Sequence, residues 1–105
     1  MSKFEIFNEM VSEFMTDAAS LFTEVFIANE ENAIAKDSYE ACTKAYFTVQ
    51  EACYAFEDNQ ICIDEVIEFF DQAVLMLYNV NDKFGNSARD LYITSRGQFT
   101  EVINA

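Results

Sequence analysis

The chain contains no proline and only two glycines, Gly85 and Gly97, in 105 residues. A β-rich domain of this length needs many tight turns, and tight turns draw on Gly, Pro and Asn. Long helices joined by few connections need little of either. The near absence of both residues therefore points to an all-α fold.

The spacing of apolar residues agrees. Phe4, Phe7, Val11, Phe14, Ala18, Leu21 and Val25 recur every three or four positions, the signature of one helix face. Met10, Met15, Phe22 and Phe26 widen that stripe beyond a narrow two-stranded seam, and a helix is expected from Lys3 to Ala28. A second stripe runs through Ala35, Tyr39, Cys42, Tyr46, Val49, Cys53 and Phe56. A third runs through Ile63, Ile67, Phe70, Val74, Leu77 and Phe84.

Polar breaks separate the stripes. Asn29-Glu30-Glu31-Asn32 is either a turn or an exposed stretch of continuous helix. Asp37-Ser38-Tyr39-Glu40 has the form of an N-cap with an acid three residues on. Asp58 or Asn59 is a candidate cap for the third helix. Gly85 is read as the end of that helix, at the left-handed position beyond it, and Ser87 with Asp90 as the capping box of a last helix from Ala88 to Ile103.

The expected architecture is an antiparallel helical bundle of three long helices plus a shorter C-terminal helix, one domain over residues 1–105. Short connections make neighbours antiparallel. A single very long helix pairing in a homodimer would show the same register from Phe4 to Phe56. The capping residues at the breaks favour the bundle. Apolar residues at 51%, with eleven Phe and five Tyr, supply one core.

Several function classes are excluded at this stage. The chain has no histidine, which removes Ser-His and Cys-His nucleophile pairs and the commonest metal ligand. Asn79-Val80-Asn81-Asp82 begins like a calcium loop, but Lys83 and Phe84 stand where an oxygen ligand and glycine are needed. Two glycines cannot build a phosphate-binding loop. No enzyme activity, cofactor or metal site is expected. Cys42 and Cys53 fall on one helix about 16 Å apart at 1.5 Å per residue, beyond disulfide reach. With Cys62 they are expected to be free, core-packing thiols of a cytoplasmic protein. No basic segment with a following apolar run marks a signal peptide.

Charge is the informative feature. Nineteen acids against six basic residues leave a formal net charge of −13. Residues 1–82 carry a net −14, whereas residues 83–105 carry +1. Such a surface repels nucleic acid and anionic membrane, so direct binding to either is not expected. Glu5, Glu9, Glu13 and Asp17 follow one another at four-residue steps and stack on one helix face. Like charges at that spacing destabilise a helix by a few tenths of a kcal/mol per pair. Asp64, Glu65, Glu68 and Asp71 form a second cluster. One reading is solubility, helped by first-turn acids that suit the helix dipole. The other is that rows of carboxylates imitate a phosphate backbone and dock onto the basic surface of a nucleic-acid-binding protein.

Two functions follow as expectations. In small size, acidity and rigid helices the chain resembles small phage anti-defence and toxin-immunity proteins in general character. That resemblance implies an inhibitor that occupies a basic surface. The segment Lys83 with Ser87-Ala88-Arg89-Asp90-Leu91-Tyr92, together with the scarcity of Gly and Pro, resembles phasins, helical proteins that coat polyester granules. That resemblance implies a coating or self-assembling scaffold, with its apolar stripes laid on a hydrophobic surface.

Overall fold

A computed structural model describes residues 1–105 as four α-helices and no strand. They are α1 (Lys3–Glu30), α2 (Lys36–Glu57), α3 (Ile63–Met76) and α4 (Lys83–Ile103). The chain forms an all-α bundle, as its composition and periodicity require. α1 packs against α2 and α4, and α3 packs against the same two, so the chain runs up and down around a four-sided bundle. The result is a rod of 45 × 20 × 19 Å, whose long axis matches the 28 residues of α1 at 1.5 Å each.

The apolar stripes meet one another in a single core of 20 buried residues. Its cross-section is rhombic, with α2 and α4 also touching across the bundle. Ala45, Ala52, Ala88 and Ser95 are small and buried on those two helices. They let the backbones approach. The wider diagonal between α1 and α3 is filled by large rings: Phe14 lies 4.6 Å from Phe70, centroid to centroid. Phe70 in turn meets Phe99 edge-on at 5.5 Å.

The break after Asn29 is a turn. α1 and α2 end in the same way. Asn32 and Asn59 adopt left-handed backbone, with φ of 55° and 60°. In each case the residue after the asparagine donates back to the helix, Ala33 to Ala28 at 2.7 Å and Gln60 to Ala55 at 2.8 Å. The asparagines themselves donate to the carbonyls of Asn29 and Phe56. These are Schellman ends with asparagine in the place more often held by glycine. The sequence carries the repeat openly: Glu30-Glu31-Asn32-Ala33-Ile34 and Glu57-Asp58-Asn59-Gln60-Ile61 both read acid-acid-Asn-x-Ile. Ile34 and Ile61 then pack onto the core.

The caps differ from the expected ones. Asn59 ends α2; it does not begin α3, whose N-cap is Cys62. Asp37 and Ser38 lie inside the first turn of α2, after the N-cap Ala35. Ser38 instead donates across the bundle to Asp82 at 2.5 Å.

The largest correction concerns Gly85. It does not close α3 and has no positive φ; it sits in the first turn of α4. The third helix stops at Met76 with 14 residues, and the fourth has 21. The N-cap of α4 is Asp82, which accepts from the Gly85 N–H at 2.8 Å, so Ser87 and Asp90 are helix interior. Leu77 and Val80 stay buried in the intervening turn. Their apolar side chains prolong the stripe past the point where the helix ends. Arg89 reaches back to the Leu77 carbonyl, which also accepts from the Val80 N–H at 3.1 Å, and at 2.6 Å to the carbonyl of Val80, tying α4 to the turn before it.

Candidate functional site

All eight carboxylates singled out in the sequence are exposed, but the fold gives them different employment. Glu5 accepts from the Ser2 hydroxyl at 3.2 Å while its own N–H donates to that oxygen, the N-cap of α1. Glu65 accepts from the Cys62 N–H at 3.3 Å and from its thiol at 3.4 Å, capping α3. Asp71 takes the Arg96 guanidinium at 2.5 Å, the sole ion pair in the molecule. Glu9, Glu13, Asp17, Asp64 and Glu68 make no hydrogen bond or ion pair with the chain.

The two clusters lie on α1 and α3, the diagonal pair. They come at α4 from both sides. Glu13 and Asp17 border a groove shared with Ser95 and Gln98 of α4. Asp71 reaches α4 through Arg96. The helix between them carries a net charge of +1.

Further acids mark the helix ends. Glu30, Glu31, Glu57 and Asp58 stand at the C-termini of α1 and α2, and no helix has a basic residue in its last turn. A carboxylate there faces the negative end of the helix dipole and destabilises it. These four belong with the candidate site, and the acid-acid-Asn repeat is the sequence signal that marks them.

Few basic residues are free to neutralise this surface. Lys3 donates to the Ile103 and Ala105 carbonyls at 3.2 Å each. Arg89 is spent on the turn before α4, and Lys83 lies 5.0 Å over the Phe84 ring.

All three cysteines are free thiols. Burial pushes the Cys42 thiol up, with Asp82 adding to the effect. Burial and Glu57 push the Cys53 thiol from 9.0 up to about 12. Both are protonated packing groups at neutral pH. Cys62 departs from the expected core role, because as the N-cap of α3 it is exposed. No group of three or more Cys, Asp or Glu side chains is placed to hold a metal ion, and no helix is long and apolar enough to cross a membrane. Comparison with known proteins returned no matching family model, curated protein or solved structure.

Proposed function

We propose that the protein is a small non-catalytic inhibitor of the anti-restriction, anti-CRISPR or immunity type. It occupies the basic surface of a nucleic-acid-binding protein or toxin in the cytoplasm and excludes the nucleic acid. The observation that carries this reading is the charge density of the rod. Thirteen net negative charges along 45 Å amount to one per about 3.5 Å. One strand of B-DNA carries about one per 3.4 Å. A groove that binds a phosphate backbone meets a comparable field on this protein, carried on a four-helix rod.

Two further features support it. Four carboxylates of the α1 and α3 clusters, Glu9, Glu13, Asp17 and Glu68, have no task in the fold, Asp64 suits the dipole in the first turn of α3, and four more stand where the helix dipole disfavours them. Burial of the apolar stripes against one another also favours this reading over a granule coat, which would keep a continuous apolar face outward.

The test uses the carboxylates that the fold leaves free. Glu9→Gln, Glu13→Gln, Asp17→Asn and Glu68→Gln are combined in one variant, and Glu65 is kept because it caps α3. Wild-type and variant proteins are used as bait in host extract at low salt. The expected result is capture of a nucleic-acid-binding protein by the wild type, its release by duplex DNA or salt, and at least ten-fold weaker capture by the variant. Equal capture by both baits would end the charge-mimicry mechanism.

A further inference from the structure

We propose that the open groove where α1 begins, α2 ends and α3 begins receives an apolar anchor residue from a lysine- or arginine-rich segment of the partner protein. The proposal rests on the acidic-surface reading and names what part of the partner meets this end of the rod.

The groove has a volume of about 490 Å³, within the range of roughly 300–1,000 Å³ typical of binding pockets. Its walls are Phe4, Phe7, Phe56, Ile61 and Ile63, with Cys62 among them. Phe4 and Phe7 both contact Phe56, at centroid distances of 5.7 and 6.5 Å. Phe7 and Phe56 are buried, but Phe4 remains 48% exposed in the first turn of α1. An aromatic ring there has apolar surface still to bury.

The charge around this floor selects the occupant. Glu65 lines the groove. Glu5 adjoins Phe4, Glu57 and Asp58 follow Phe56, and Asp64 follows Ile63. No Lys or Arg lines it, and nearby Lys3 is held by the carbonyls at the end of α4. An apolar floor with Glu65 in its wall, no cation, and four further carboxylates on residues adjacent in sequence to its lining repels a fatty acid or other anionic amphiphile. It suits an aromatic or leucine side chain flanked by cations: the apolar contact supplies the buried hot spot, and the rim supplies steering and orientation. A comparable cavity of about 400 Å³ at the opposite end has Lys83 beside Glu24 and Glu31 in its wall and lacks this single-sign rim.

The test uses two labelled peptides, one with a single phenylalanine between lysine pairs and one with alanine in its place. Affinity is measured by fluorescence anisotropy on the wild type, on Phe4→Ala and on Glu57→Gln/Asp58→Asn. Alkylation of the exposed Cys62 thiol by iodoacetamide reports occupancy of the groove. On the wild type the phenylalanine peptide binds at least ten-fold more tightly than the alanine peptide and slows Cys62 alkylation. Phe4→Ala removes most of that difference, and Glu57→Gln/Asp58→Asn weakens both peptides. Equal affinities with unhindered alkylation would overturn the groove while leaving the acidic surface standing. Absence of binding by both peptides at low salt would also overturn the groove, and the acidic surface is then judged by the four-amide variant alone. Circular dichroism establishes that each variant is folded.

Discussion

The two glycines lie in the same helix and have opposite meanings. A Cβ on Gly85 would come within 2.3 Å of Val80 Cγ1 and 2.9 Å of the Val80 carbonyl oxygen. The buried turn before α4 therefore presses directly on this residue. Gly97 has nothing within 4 Å of the corresponding position. Gly85→Ala is expected to destabilise the fold by about 1–3 kcal/mol through overpacking. Gly97→Ala is expected to stabilise it by about 0.5–1 kcal/mol through helix propensity. Urea unfolding midpoints of the two variants test the pair, and the reverse order would refute the packing of Val80 on α4. Buried acids also set an alkaline limit. Cys53 rises from 9.0 to about 12, burial first and Glu57 second. Burial likewise raises Tyr46 and Tyr92 above their ordinary 10.0. A group whose folded pKa exceeds its unfolded one holds its proton more tightly in the folded state. Its contribution is whole below the unfolded pKa and fades as pH climbs toward the folded value. The melting temperature is expected to begin falling near pH 9 and to fall faster above pH 10. A flat profile to pH 11 would show that these side chains are not buried as described.

At the scale of elements, the helix ends carry the argument. α1 and α2 stop through the same acid-acid-Asn-x-Ile device, in which asparagine supplies the left-handed residue. The acids before it oppose the dipole, so stability alone would place lysine there. Glu31→Lys and Asp58→Lys are each expected to raise stability by about 0.3–1 kcal/mol at low ionic strength. Denaturant unfolding measures that gain, and partner capture by the same variants should fall. A gain in stability without loss of capture would assign these acids to solubility alone. The α3–α4 connection works differently. Two of its carbonyls accept from Arg89, twelve residues beyond Leu77, and its exit is set by Asp82, which is tied to both Ser38 and Gly85. A helix start of this kind depends on a side chain from another helix.

Over the whole molecule, one ion pair stands against a net charge of −13. Repulsion among like charges loads the compact state, and salt relieves it: the screening length falls from about 30 Å at 0.01 M to about 8 Å at 0.15 M. That first length is comparable with the long axis of the rod, so almost every pair of acids interacts at low salt. The melting temperature is expected to rise by several degrees between 10 and 300 mM NaCl, as followed by calorimetry. Binding to a basic partner should respond with the opposite sign. A protein held mainly by ion pairs would instead lose stability over the same range.

The helical class, the first two core stripes and the acid rows follow from the sequence alone, because each arises from periodicity within a single helix. Even the two asparagine stops are written there as a repeat. The end of α3 is different: Leu77 and Val80 remain buried after the helix has stopped, and apolar spacing cannot distinguish a buried turn from a buried helix. Which acids are free was likewise decided in three dimensions. Asp71 is neutralised by Arg96, 25 residues away, and the two acidic rows stand on α1 and α3, across the long diagonal of the bundle. That diagonal is long because alanine and serine draw α2 and α4 together while Phe14 and Phe70 hold α1 and α3 apart. The groove at Phe4 is likewise tertiary, formed where three helix ends from distant parts of the chain converge.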